Sequence, residues 1–162
     1  MDHIFTPWRY QYVSNVDEKK GCIFCEKAAA EEDRENLVIF RGRLCFAMLN
    51  LYPYCSGHVM VSPYKHTGTI EELEEETLSS MMELAKRCIG AIRDAFAPDG
   101  FNLGINIARV AGAGMQDHVH LHVVPRWAGD SNFMSVIGDT RVLPLSLDEV
   151  WKALSERMAT TS

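Results

Sequence analysis

No stretch of this chain approaches the ~20 consecutive apolar residues of a membrane span, because charges, prolines and glycines interrupt every apolar run after a few residues. The opening Met1-Asp2-His3-Ile4-Phe5 has no basic flank leading into an apolar stretch, so neither a secretory signal nor a membrane partner is expected. Internal repeats, low-complexity tracts and Pro/Gly/Ser-rich linkers are missing as well, and the 162 residues, 1–162, are expected to form a single domain around one core. Positive charge is in deficit: 16 Lys plus Arg stand against 22 Asp plus Glu, a net of -6 that repels a phosphate backbone and argues against a nucleic-acid polymer as partner. A small phosphate ligand stays open, since a local site rich in backbone donors holds an anion whatever the total charge. Five cysteines, an odd number, argue against a disulfide framework and point to free thiols in a reducing, cytoplasmic setting.

What is present is a succession of short elements. Residues 37–41 and 44–49 are apolar runs on either side of Gly42, expected as a hairpin, and 57–62 is a third strand closed by Pro63. From Glu75 to Phe96, Leu78, Met81, Met82, Ala85, Cys88, Ile89, Ile92 and Phe96 recur at three- and four-residue steps, which predicts one long helix stopped by Pro98-Asp99-Gly100. Two more strands, 101–108 and 118–124, flank a loop of small residues, and 146–158 predicts a capped amphipathic helix after an irregular stretch over 128–144. Antiparallel strands with one long crossover helix make this an α+β fold with a sheet of about five strands, not a doubly wound parallel one.

The segment His118-Val119-His120-Leu121-His122-Val123-Val124 carries most of the chemistry. On an extended backbone side chains alternate faces, so His118, His120 and His122 share one face while Val119, Leu121 and Val123 share the other. Successive imidazoles then lie about 6.6 to 6.8 Å apart along the strand. That spacing suits neither scattered surface polarity nor a compact metal site built from all three. Three imidazoles in a row let one attack, one protonate and one be positioned. The alternatives are the polar face of an amphipathic strand, or a strip of metal ligands.

Cys22-Ile23-Phe24-Cys25 has the two-residue gap of a zinc knuckle, with Gly21 beside it permitting a tight turn. Two buried thiols at the start of a short helix, or a redox pair, are the other readings. Asn50 stands just before a Tyr-Pro turn, where an asparagine alone is more often a turn-former. Gly112 and Gly114 let backbone amides come close to an anion. Phe24, Leu44 and Phe46 offer an apolar slot for a base, although core packing is the better reading of each.

The complete triad, the Asn50 to Gly57-His58-Val59 segment, Pro63-Tyr64-Lys65-His66 and the Pro125-Arg126 after the triad together resemble the histidine-triad superfamily over most of the chain. That resemblance implies catalysis on nucleotide α-phosphates in a homodimer. His120 is then the nucleophile, His122 supplies a proton or hydrogen bond to the leaving group, and His118 flanks the nucleophile on its other side. A neutral imidazole suits attack on phosphorus when its second nitrogen is tied to an acceptor, for which backbone carbonyls are nearest. The resemblance also assigns Asn50 to the ribose and Gln116 to the phosphates, beside Gly114. It completes a structural zinc site of Cys22, Cys25, His66 and His118 with no open position for substrate.

The chain after the triad, from Pro125-Arg126-Trp127 onward, and Phe5-Thr6-Pro7-Trp8-Arg9 look like the bacterial and archaeal diadenosine-polyphosphate branch, in particular the diadenosine tetraphosphate phosphorylases. Water and phosphate remain open as acceptor, with Asn132 and Gly138-Asp139-Thr140 as candidate contacts. A purine nucleoside phosphoramidase and a non-catalytic nucleotide-binding adaptor are the alternatives, although an adaptor has no need of the central histidine. Met81, Met82, Leu84 and Cys88 are too many apolar positions for a narrow buried stripe, and 127–145 is long for an idle loop. Both features support a homodimer with Trp127 near an active site.

Overall fold

The computed structural model describes residues 21–130 and 143–160. The features expected at 5–9 and within 131–142, including Asn132 and Gly138-Asp139-Thr140, lie outside the described residues. The strands are β1 Val38–Arg41, β2 Cys45–Leu49, β3 Val59–Pro63, β4 Gly100–Ile105 and β5 Leu121–Arg126; the helices are α1 Ile23–Ala29, α2 Glu75–Phe96 and α3 Leu147–Thr160. They form one five-stranded sheet ordered β1-β2-β3-β5-β4, antiparallel at every pairing, which is the expected α+β architecture.

Alternation along the strands sorts their side chains into two layers. Ile39, Ala47, Leu49, Val59, Val61, Leu121 and Val123 meet Leu84, Cys88 and Ile92 of α2 and Leu154 and Met158 of α3 in the main core. Val38, Phe46, Met48 and Met60 point the other way, into a smaller cluster closed by Phe24 of α1. The long helix occupies the predicted span, and Ala97 ends it in a left-handed conformation at φ 45°. At α3, the Ser146 hydroxyl accepts from the Glu149 N–H (3.3 Å) while the Glu149 carboxylate accepts from the Ser146 N–H (2.8 Å), a reciprocal cap. The Trp151 indole N–H then donates to the Val38 carbonyl (2.7 Å), tying α3 to β1.

Several expected boundaries move. The triad strand begins at Leu121 rather than at 118, because the Val119 N–H donates to the Thr67 carbonyl (2.6 Å) and both ladders open at Leu121. It runs on through Pro125, beyond Val123, where its pairing with β3 ends, so a residue without an N–H is tolerated there. The strand expected over 101–108 stops at Ile105, and Ala108 takes φ 65° ahead of a 3-10 turn at Arg109–Ala111. The strand expected from 57 starts at Val59, since Gly57, at φ 82°, belongs to the preceding turn; a Cβ there would also press on Phe96 and Pro125 at 3.4 Å. Met81, Leu84 and Cys88, expected to leave an uncovered apolar face, are buried in the main core; of that group Met82 alone is exposed. Among the described residues no helix is long and apolar enough to cross a membrane.

Candidate active site and metal cluster

His118, His120 and His122 project from the sheet face opposite Val119, Leu121 and Val123, as the alternation predicts, even though only His122 lies within the hydrogen-bonded strand. His118 is fully buried and His120 is 5% exposed; His122 is half-buried. The His120 and His122 rings approach to 4.7 Å between centroids at 71°, closer than the backbone repeat, because the rings turn edge to face. Nδ1 of His120 donates to the His118 carbonyl at 2.9 Å, which leaves the lone pair on Nε2. Burial pushes His118 and His120 below the ordinary histidine value, outweighing the carbonyl that each of them bonds. At neutral pH both rings are therefore neutral, and His120 has the form a phosphorus nucleophile needs.

The other end of the row is organised by His58, which is 1% exposed. Its Nδ1 accepts from the Tyr54 N–H (3.2 Å) and faces the Asn50 amide nitrogen at 3.4 Å; the amide's orientation is fixed because Oδ1 accepts from the Tyr52 N–H (3.0 Å). Donors on Nδ1 put the His58 proton on Nε2, which donates to Nδ1 of His122 at 2.9 Å. His122 then carries its own proton on Nε2, so a chain of tautomers ends in an N–H donor beside His120. The Tyr54 ring lies over both, with centroids 4.7 Å from His58 and 6.2 Å from His122. The sequence carries no spacing signal for the role of His58, because its partner is 64 positions away.

Beyond His118 lies a cluster in which one donor atom each from Cys22, Cys25, His66 and His118 falls within 4.8 Å of the others. Cys22 Sγ and Cys25 Sγ stand 3.1 and 3.5 Å from His118 Nδ1, and Cys25 Sγ stands 3.3 Å from His66 Nδ1. A tetrahedron with bonds of ~2.0–2.3 Å has edges of about 3.3–3.8 Å, so the four donors already outline a closed S2N2 site. His118 Nε2 donates to the Pro63 carbonyl at 2.9 Å, which turns the Nδ1 lone pair toward the thiols. Burial and then the neighbouring Cys22 push the Cys25 thiol up, so a cation binding both as thiolates has to displace the Cys25 proton. The residues present fit a zinc ion.

Residues 31–129 match the HIT domain family. The chain belongs to the HIT family. It is 35% identical over 166 residues, 98% of this chain and 85% of the other, to an AP-4-A phosphorylase of Mycobacterium tuberculosis. It is 31% identical over 93 residues, 57% of this chain and 62% of the other, to a bis(5'-adenosyl)-triphosphatase of Dictyostelium discoideum. Among solved structures, a Zn-bound histidine triad family protein from Mycobacterium smegmatis superposes with a TM-score of 0.68 at 27% identity, covering 86% of this chain and 94% of that one.

Within this HIT protein the remaining expected site residues are placed unevenly. Asn50 closes β2 and pairs through its backbone N–H with the His58 carbonyl (3.0 Å), at the His122 end of the row. Gly114 is half-buried in the loop before His118. Gln116 is exposed, and its backbone carbonyl packs so tightly on Gly68 that a Cβ at Gly68 would lie 2.5 Å from it. Phe24 and Phe46 are buried in the smaller cluster, as core packing requires, and Leu44 is half-buried. Trp127 donates its indole N–H to the Phe96 carbonyl (3.3 Å) at the end of α2.

Proposed function

We propose that the protein is a nucleotidyl hydrolase or transferase acting on the α-phosphate of dinucleoside polyphosphates such as diadenosine tetraphosphate. The observation that carries this reading is the fixed order of tautomers: a carbonyl-backed imidazole, His120, next to a proton-bearing one, His122. His120 Nε2 attacks the α-phosphorus, the bond to the bridging oxygen breaks, and ATP leaves as its anion, accepting a hydrogen bond from His122 Nε2–H. Water or inorganic phosphate then attacks the nucleotidyl-histidine, the phosphorus–nitrogen bond breaks, the attacking group's proton passes to solvent, and AMP or ADP leaves His120 neutral again. Similarity to an AP-4-A phosphorylase along nearly the whole chain supports phosphate as acceptor. His118 positions rather than reacts, Asn50 binds the ribose, and Gln116 and Gly114 line the phosphate path.

Cys22, Cys25, His66 and His118 hold a structural zinc that clamps the N-terminal segment to the imidazole row. The whole chain, 1–162, acts as one domain in a reducing, cytoplasmic compartment that suits its free thiols. A homodimer is supported by the outer edge of β4, which no strand among the described residues pairs and where Leu103 is 42% exposed, and by Met82 on α2, which is 55% exposed. Light scattering that returned the 18.3 kDa monomer mass for active enzyme would remove the dimer.

Product analysis with diadenosine tetraphosphate, with and without inorganic phosphate, tests the activity. ADP plus ATP appearing only with phosphate is the expected result. ATP plus AMP in water alone makes the enzyme a hydrolase, whereas cleavage of adenosine phosphoramidate without cleavage of the dinucleotide overturns the assignment.

A further inference from the structure

We propose that Phe24 is a positioning residue through which the Cys22/Cys25/His66/His118 cluster, once loaded, holds the His120 imidazole in its attacking orientation. The inference rests on the reading of His120 as nucleophile and of the cluster as a zinc site. Phe24 lies between the two thiols on α1, is 2% exposed, and sets its ring centroid 4.6 Å from that of His120 and 5.1 Å from that of His118. His118, itself a cluster residue, grips Nδ1 of His120 with its carbonyl. The nucleophile is thus held on two sides by parts of one cluster: the backbone of one ligand and the aromatic ring between two others.

The helix carrying Phe24 has seven residues, well below the ~12–15 at which an isolated helix becomes even marginal, and its N-cap, Cys22, makes no side-chain capping bond. Its far end is fastened by Arg41, whose guanidinium donates to the carbonyls of Lys27, Ala28 and Ala30 at 2.7–3.0 Å. Its first turn reaches the triad through the thiols and the Phe24 ring. A metal shared by those thiols and His118 locks that turn, and the ring with it, against His120. When the metal leaves, the far end stays anchored while the first turn loosens.

The test uses the full-length, zinc-loaded, 15N-labelled protein and Phe24→Leu, which keeps an apolar side chain and removes the ring face. Zinc per chain, the proton-bearing Nδ1 signal of His120 (assigned by its loss in His120→Asn), and kcat and KM for diadenosine tetraphosphate are measured together. Expected are one zinc per chain, KM within about twofold of wild type, kcat lower by about ten- to a hundredfold, and a shifted or broadened His120 signal. Chelating zinc from the wild type should move the same signal in the same way, an arm that stands even where Phe24→Leu folds poorly. The inference is overturned by an unchanged kcat in a zinc-loaded variant, by a rise in KM alone, which makes the ring a base contact, or by a His120 signal indifferent to chelation. Wild type without zinc, or His120→Asn at full rate, overturns the underlying reading and the inference with it.

Discussion

The two ends of the imidazole row are built on opposite plans. At the His118 end the ring is fully buried, its two nitrogens fixed by thiols on one side and a backbone carbonyl on the other, with an aromatic ring packed against it. At the His122 end the ring is half-buried and held by another histidine, whose own tautomer is set by a backbone amide and an asparagine. Burial keeps the inner rings neutral and costs any charge that appears there, whereas the outer ring is only half-buried. On the proposed function the contrast divides the labour: the dry end supplies geometry and the wetter end a hydrogen-bond donor for the leaving group. His120 stands between them, its Nδ1 held by the His118 carbonyl and its ring edge to face with His122.

The largest effect is expected where the two plans meet. His120→Asn removes the attacking nitrogen and should lower turnover of diadenosine tetraphosphate by at least the ~10²–10⁴-fold associated with losing a positioned proton-transfer group, with the far-UV spectrum unchanged. Steady-state rates decide it; a variant keeping a tenth of the activity would mean that another group attacks. Next comes the anchored end. Cys22→Ser together with Cys25→Ser should abolish stoichiometric zinc and lower the melting temperature by roughly 10 °C, on the basis of ~4 kcal/mol of ligand-linked stability and about 2–4 °C per kcal/mol at this size. Calorimetry beside metal analysis checks this, and a zinc-free double variant melting with wild type would reduce the cluster to two thiols and two histidines that happen to be neighbours.

A third effect should depend on the substrate. His122→Ala removes the hydrogen-bond donor to the leaving group, and His58→Phe leaves His122 in place but frees its tautomer; each should slow substrates with a poor leaving group by about tenfold or more relative to an adenylyl ester of p-nitrophenol, which leaves without such help. Parallel rate measurements on the two substrates are the readout. An equal loss on both would move His122 from proton donor to binding group and erase the asymmetry between the two ends.

Much of the dry end was legible in the sequence, but for uneven reasons. Period-two alternation correctly sent three imidazoles to one face because it reports side-chain direction; it misplaced the start of β5 because direction says nothing about which backbone groups pair, and Val119 pairs with Thr67. The Cys22-Cys25 gap signalled a metal from spacing alone, whereas His66 and His118 entered through family resemblance, being 41 and 93 positions from Cys25. The short helix α1 holds too few turns for periodicity to show. The wetter end was largely hidden, since a single histidine after a turn has no spacing signal and His58 acquires its role only when β3 is laid beside β5. The open face expected at Met81, Leu84 and Cys88 failed because a stripe too wide for one neighbour is covered by two, the sheet and α3.

The smallest effect tests whether Asn50 belongs to the proton chain or to the ribose. His58 Nδ1 has two donors, and the backbone one, from Tyr54, is the shorter at 3.2 Å against 3.4 Å for the Asn50 amide. Removing the longer contact leaves the His58 tautomer in place, so Asn50→Ala should change kcat by no more than about two- to threefold, the size of a weak hydrogen bond lost where another remains. A ribose contact, by contrast, is made before the chemical step as well as during it, and its loss should raise KM by about tenfold. A KM-weighted defect therefore keeps Asn50 as a substrate ligand that merely leans on His58. A kcat-weighted defect that grows with the basicity of the leaving group would instead extend the relay by one residue, making the wetter end as tightly specified as the dry one.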